Sequence, residues 1–158
     1  MVFMEDSIRA ASIARTAGID VGLHLNFSEK FTGAFGRNAL LDKYHSRISR
    51  LLRLNKYALV IYFPYLRKEF RYVFQAQLDE FFRLYGRPPS HFNGHHHMHL
   101  CSNILLGRII PENEKVRRNF SFFPGEKGIL NRMYRRLVDS WLAGRYCVTD
   151  YFFSLSRI

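Results

Sequence analysis

Five of the chain's seven histidines lie within nine residues, from His91 to His99. A sixth, His24, lies in an apolar segment much earlier in the chain. Imidazole is the commonest metal ligand among side chains and also transfers protons near neutral pH. An affinity tag is excluded, because tags run unbroken at a terminus, whereas this cluster lies mid-chain and contains Met98. The cluster therefore indicates a metal site or proton-transfer chemistry.

The backbone conformation of this stretch decides which histidines can act together. In an extended chain, successive side chains alternate between two faces. The residues that would share one face are His91, Asn93, His95, His97 and His99. His96 would then point to the other face. A helix would instead align His95 with His99, but Gly94 and the preceding proline pair oppose a helix starting here, so we expect the extended form.

The elements around the histidines predict where they lie. A helix is predicted over Glu5–Ala17, and the following segment, Ile19–Phe27, is apolar nearly throughout, which is typical of a buried parallel strand. A buried His24 in that strand must find a hydrogen-bond partner or a metal. The strand predicted over Ser90–His95 would end where the cluster begins, and parallel sheets bind ligands beyond the carboxyl ends of their strands.

The remaining elements predict an α/β fold with a mostly parallel sheet. Helices are predicted from Asn38 to about Leu54 and over Tyr65–Tyr85, Leu100–Arg108 and Leu130–Ala143. Further strands are predicted over Lys115–Phe120 and Tyr146–Thr149. Helices that alternate with strands in this way favour parallel pairing. With 158 residues and 47% apolar residues, the chain is long enough for one domain with a packed core.

The net charge of the chain indicates which class of binding partner it attracts. The net charge of +11 favours anionic partners such as nucleic acid, a membrane surface or a phosphorylated substrate. A basic nucleic-acid-binding module is therefore an alternative, although no nucleic-acid motif supports it. Two cysteines are too few for a disulfide framework, and the sequence shows neither a signal peptide nor a transmembrane run. We therefore expect a cytoplasmic protein. The sequence does not determine the oligomeric state.

Three segments carry a resemblance to a known family. They are Val21-Gly22-Leu23-His24-Leu25, the stretch from Tyr85-Gly86-Arg87-Pro88-Pro89 to His99, and Thr149-Asp150-Tyr151-Phe152-Phe153. With these segments in this order, the sequence resembles the YdjC-like carbohydrate deacetylases. The resemblance implies a partial, irregular (β/α) barrel of the polysaccharide-deacetylase-like type.

The resemblance also implies a chemistry. It implies one divalent metal, Mg²⁺ or Zn²⁺, held by an aspartate and two histidines, which by position are His24 and His95. The implied reaction is hydrolysis of the N-acetyl group of an acetylated amino sugar or oligosaccharide. Asn93, His97 and His99 would line the pocket or contact substrate. The basic surface would also suit an anionic or lipid-linked sugar.

The chain departs from the family pattern in three ways. It has no Ala-Asp-Asp-Phe-Gly-type motif to supply the metal aspartate, it has no later Cys-His-Pro-type segment, and Asn93 stands where the family usually has an aspartate. We therefore expect residues 1–158 to form a single domain that is the central part of a deacetylase domain, without its first strand and its C-terminal part. Weak metal binding and impaired turnover are expected, and a non-catalytic remnant is the alternative.

Overall fold

The computed structural model describes residues 1–55, 57–119, 121 and 128–150. The chain divides into two compact units, Met1–Ile110 and Pro111–Ile158. The single-domain organisation stays a prediction.

The described residues of the first unit form two strands and four α-helices. The helices are α1 (Ser7–Thr16), α2 (Ala39–Leu54), α3 (Arg67–Tyr85) and α4 (Ser102–Leu105), and short 3-10 helices cover Pro64–Leu66 and His95–Leu100. The strands are β1 (Leu23–Leu25) and β2 (Phe92–Gly94). They pair in parallel, with Leu23 opposite Phe92, His24 opposite Asn93 and Leu25 opposite Gly94.

Two local signals set the helix ends as the sequence predicts. The Asn38 side chain accepts a hydrogen bond from the Leu41 N–H at 2.8 Å, which satisfies a donor that the first turn of α2 leaves unpaired. Gly86 ends α3 in the left-handed conformation at φ 67°, where its N–H bonds to the Phe82 carbonyl. Both predicted ends are confirmed.

The core of this unit lies between α3 and the strand pair. Three phenylalanines of α3 are buried, namely Phe70, Phe74 and Phe81. Phe74 packs on Phe92 with ring centroids 5.7 Å apart, and Phe70 packs on Phe27 at 5.3 Å. Burying four such rings holds α3 firmly against the strands that carry His24 and Asn93.

Both strands are shorter than the sequence predicts. Beyond Leu25 the Asn26 side chain accepts the backbone N–H groups of Ser28 and Glu29, so the chain turns instead of continuing the ladder. On the N-terminal side of the two strands, two isolated backbone hydrogen bonds continue the pairing. The Ser90 N–H donates to the Val21 carbonyl, and the Leu23 N–H donates to the His91 carbonyl.

The second unit contains β3 (Lys115–Val116), α5 (Ile129–Ala143) and β4 (Cys147–Val148). The two strands pair in parallel, with Val116 opposite Val148. Arg118 forms a salt bridge of 3.0 Å to Asp139 on α5. The third strand was predicted to end at Phe120, and the last segment that resembles the family was Thr149–Phe153. Phe120 and residues 151–153 lie outside the described residues.

Helices alternate with strands that pair in parallel, which confirms the predicted α/β class with a mostly parallel sheet. Among the described helices, none is both long enough and apolar enough to cross a membrane.

Candidate metal centre

His24 and Asn93 face each other across the parallel strand pair. Each is the half-buried middle residue of a three-residue strand whose outer residues are buried, so both side chains project from the same face. The Nδ1 atom of His24 lies 2.5 Å from the Oδ1 atom of Asn93. The sequence predicts that His24 needs a hydrogen-bond partner or a metal. In the structure that hydrogen-bond partner is the side-chain amide of Asn93, from the histidine-rich segment.

His95 follows β2 directly and turns towards His24. Their ring centroids are 5.7 Å apart and their planes are nearly perpendicular, at 77°. Parallel pairing of β1 with β2 produces this approach, because it places the carboxyl ends of both strands at one edge. The two histidines that the sequence assigns to a metal are therefore close together, although their role as ligands stays a prediction.

The extended conformation expected through His99 is wrong. The strand ends at Gly94, where its partner β1 also ends, and the next residues form a 3-10 helix over His95–Leu100. Backbone groups beyond the last paired residue have no neighbouring strand, so they bond locally, as the Cys101 N–H does to the Met98 carbonyl.

The prediction that His96 points away from the cluster is also wrong. His96 and His97 both adopt the left-handed conformation, with φ of 49° and 59°. This conformation costs a residue with a side chain about 1 kcal/mol or more. The turn that it produces brings the exposed His96 ring to 3.9 Å, centroid to centroid, from the His95 ring.

Glu29 approaches the same two rings from the loop after β1. One ligand atom each from Glu29, His95 and His96 lies within 4.8 Å of the other two. Neither Glu29 nor His96 was among the site residues predicted from the sequence. A usable signal was present, because Asn26 at the end of a strand predicts a turn of the side-chain-to-backbone type, which directs the next few residues across the strand ends.

The loop that carries Glu29 is held by hydrogen bonds to the backbone N–H and the backbone carbonyl of Glu29. Asn26 accepts the Glu29 N–H at 2.9 Å through Oδ1 and donates through Nδ2 to the Glu29 carbonyl at 2.8 Å. Asn26 is fully buried, and Gln77 of α3 in turn binds both its N–H, at 2.7 Å, and its carbonyl, at 3.1 Å. Helix α3 therefore positions the Glu29 loop through a buried amide.

The remaining predicted site residues lie further along the turn. His99 is fully buried, and it lies so close to Gly94 that a Cβ atom added there would be 2.7 Å from both its backbone nitrogen and its Nδ1. His97 is half-buried, with its ring centroid 6.3 Å from that of His99. Their predicted role as pocket lining stays a prediction. His91 lies at the opposite end of the strand pair, where its ring covers Gly22.

The electrostatics of the centre favour a neutral imidazole. Burial lowers the pKa of His95 below its ordinary value, and the positive charge of His96 lowers it further, whereas Glu29 raises it. A neutral imidazole has a nitrogen lone pair, which is the form that binds metals. The cluster can therefore offer nitrogen ligands near neutral pH together with one carboxylate.

Comparison with known proteins gives the family of the chain. The family model described as YdjC-like protein matches residues 1–156, which includes both strands and the histidine turn. The chain belongs to the YdjC-like family. This YdjC-like chain is also 31% identical over 125 residues to the mouse (Mus musculus) protein named carbohydrate deacetylase.

That match covers 76% of this YdjC-like chain and 38% of the mouse protein, so the chain spans well under two thirds of the length of that relative. No solved structure matches the chain.

Proposed function

We propose that this YdjC-like chain is a carbohydrate deacetylase that hydrolyses the N-acetyl group of an acetylated amino sugar and uses a divalent metal bound by His24 and His95. The approach of these two rings to 5.7 Å, at the carboxyl ends of paired parallel strands, carries the proposal. The name of the mouse relative supports the substrate class.

The residues at this edge fit a metal on chemical grounds. His24 and His95 present imidazole nitrogens, which suit Zn²⁺ better than Mg²⁺, since magnesium prefers oxygen ligands. The hydrogen bond between His24 and Asn93 fixes the His24 ring, as outer partners do for metal-binding histidines. A bound divalent metal would act as a Lewis acid on the amide carbonyl and on water.

The reaction adds water to the acetyl carbonyl carbon, breaks the C–N bond and releases acetate and the free amino sugar. One proton must reach the departing nitrogen, and a histidine with a pKa near neutral suits that transfer. We assign this transfer to His97, the half-buried histidine of the turn, because His99 is fully buried. Asn93 cannot take up a proton, because an amide is not a base at neutral pH, so we expect slow turnover.

Acetate release from N-acetylated chitooligosaccharides, with Zn²⁺ or Mg²⁺ added, tests the proposal. We expect slow release by the wild-type chain and at least about a hundredfold less by His24→Ala and by His95→Ala, as expected for loss of a metal-bound centre. His91→Ala removes a histidine of the same segment from outside the cluster and should retain the wild-type rate. Release that is absent from the wild-type chain, or unchanged in both variants, would contradict the proposal.

A phosphate-linked acetylated sugar in the same assay compares anionic with neutral substrates. The net charge of +11 attracts anions, so we expect a lower KM for the phosphate-linked sugar at low salt and a smaller advantage at high salt. Equal KM values at every salt concentration would count against an anionic substrate.

A further inference from the structure

We propose that Glu29, His95 and His96 form a binding site for a zinc-type divalent cation, in which Glu29 is the acidic ligand. The inference rests on the proposed function, because it names the carboxylate and the class of metal for the same strand edge. It concerns two residues, Glu29 and His96, that have no other role in the proposed reaction.

The spacing of the three side chains fits one small cation. Their ligand atoms lie within 4.8 Å of one another. In a tetrahedral zinc site with bonds of about 2.0 to 2.2 Å, the ligand atoms lie about 3.3 to 3.6 Å from one another, so small rotations of the side chains bring the three atoms into range. The His95 and His96 rings are already 3.9 Å apart, centroid to centroid.

The backbone holds Glu29 in place for this role. Asn26 binds both the N–H and the carbonyl of Glu29, and Gln77 binds both backbone groups of Asn26 from α3. A surface loop that needed only to connect two elements would not require a fully buried asparagine and a fully buried glutamine behind it. The glutamate is therefore carried on a rigid support, as a ligand should be.

The conformation of His96 points to the same conclusion. Neighbouring residues of an extended chain point to opposite faces, so His95 and His96 share a site only because the backbone turns at His96 and His97. Both residues adopt a left-handed conformation that side chains normally avoid, and such strain concentrates at functional sites. The strained turn produces a pair of adjacent imidazoles facing a carboxylate.

The donor set selects the class of cation. Two imidazoles and one carboxylate are a ligand set of zinc enzymes, which leave the fourth position for water or substrate. Magnesium is disfavoured, since it requires six ligands in octahedral geometry and prefers oxygen. His24, the other imidazole of the proposed deacetylase centre, lies beside the three ligands with its ring 5.7 Å from that of His95, so it can bind the same cation, and zinc can still take water or substrate as a fifth ligand.

Competition for Zn²⁺ between the full chain and a chromogenic chelator tests the inference. Glu29→Gln keeps the shape of the side chain and removes its charge. His96→Gly removes the ring and accepts the left-handed conformation without strain, so lost binding cannot come from a broken turn. We expect each variant to bind Zn²⁺ at least about tenfold more weakly, the lower end of what loss of even an outer partner costs.

The control is His91→Ala, which should bind Zn²⁺ as the wild type does. As a second readout, Zn²⁺ should raise the Tm of the wild-type chain and of His91→Ala, with little effect on Glu29→Gln. Circular dichroism without metal establishes that each variant is folded.

Two results would overturn the inference. One is that the wild-type chain binds no Zn²⁺, and the other is that Glu29→Gln and His96→Gly bind it as tightly as the wild type. If His24→Ala weakens binding while Glu29→Gln does not, the inference fails and the metal assigned to His24 and His95 stands. If Glu29 and His96 are needed for Zn²⁺ but no acetate is released, the inference stands and the proposed deacetylase function fails.

Discussion

His24 and Asn93 occupy facing positions of the parallel strand pair, and Nδ1 of His24 lies 2.5 Å from Oδ1 of Asn93. A carboxamide oxygen only accepts hydrogen bonds, so Nδ1 of His24 carries the proton and Nε2 carries the lone pair. In this tautomer Nε2 is the ring nitrogen that can bind a metal.

Replacing Asn93 should therefore change the tautomer of His24. Asn93→Ala removes the acceptor and should shift the ring towards the form protonated at Nε2, whereas Asn93→Asp keeps an acceptor and should preserve the proton on Nδ1. Long-range proton–nitrogen NMR correlations of the His24 ring measure the two forms. An unchanged ring in Asn93→Ala would show that Asn93 does not set the tautomer.

Gln77 should contribute more to stability than its neighbours on the surface of α3. Gln77→Ala leaves the buried N–H and carbonyl of Asn26 without their partner, which should lower the free energy of unfolding by about 3 kcal/mol. Gln75 pairs with Asp79 on the exposed side of the same helix, so Gln75→Ala should cost no more than about 0.5 kcal/mol. Urea unfolding of both variants measures the difference, and equal losses would contradict the assignment.

Gly94 should tolerate no side chain. A Cβ atom there would lie 2.7 Å from both the backbone nitrogen and Nδ1 of His99, so Gly94→Ala should push the histidine turn away from the strand and cost about 2 kcal/mol or more. Gly144 at the end of α5 is the control, because its nearest contact would be an ordinary 3.6 Å. Thermal unfolding should show a lower Tm for Gly94→Ala and a Tm close to wild type for Gly144→Ala.

His45 should make the fold sensitive to acid. It is 4% exposed and stacks on Phe31, with ring centroids 4.0 Å apart, and burial lowers its pKa from 6.5 to about 4. Between these two values the unfolded chain binds a proton that the folded chain does not. The free energy of unfolding should therefore be constant above about pH 6.5 and fall as the pH drops towards 4, by up to about 1.4 kcal/mol per pH unit from this residue.

His45→Leu should remove that part of the pH dependence. Urea unfolding of the wild type and of the variant at pH 7, pH 5.5 and about pH 4.5 covers the range in which His45 titrates on unfolding. Parallel pH profiles for the two proteins would show that His45 is not responsible.

The two cysteines should differ sharply in reactivity. Cys101 is fully buried, and burial raises the pKa of its thiol to about 11, so almost none of it is thiolate at neutral pH. Cys147 is exposed. A chromogenic disulfide reagent should therefore titrate one thiol in the folded chain and two in denaturant, and Cys147→Ser should leave no fast-reacting thiol. Equal rates for both thiols in the folded chain would contradict the burial of Cys101.

Several features followed from the sequence because short-range chemistry controls them. Asn38 caps α2 through a hydrogen bond to a residue three positions later, and Gly86 ends α3 because glycine accepts a positive φ without strain. The alternation of apolar helices and strands likewise predicted the α/β class, and the two histidine-bearing segments predicted the approach of His24 to His95. Each of these signals is complete within a short window of sequence or follows from the general rule for parallel strands.

The composition of the cluster was decided only by the tertiary structure. Whether His96 joins or leaves the site depends on where β2 stops, and β2 stops where its partner β1 does, a register that joins residues about seventy positions apart. The place of Glu29 depends on Gln77, which reaches the turn at Asn26 across 51 positions. Sequence chemistry determined which side chains could bind a metal, whereas long-range pairing and buried hydrogen bonds decided which of them meet, because only those contacts can hold a strained turn beside an anchored loop.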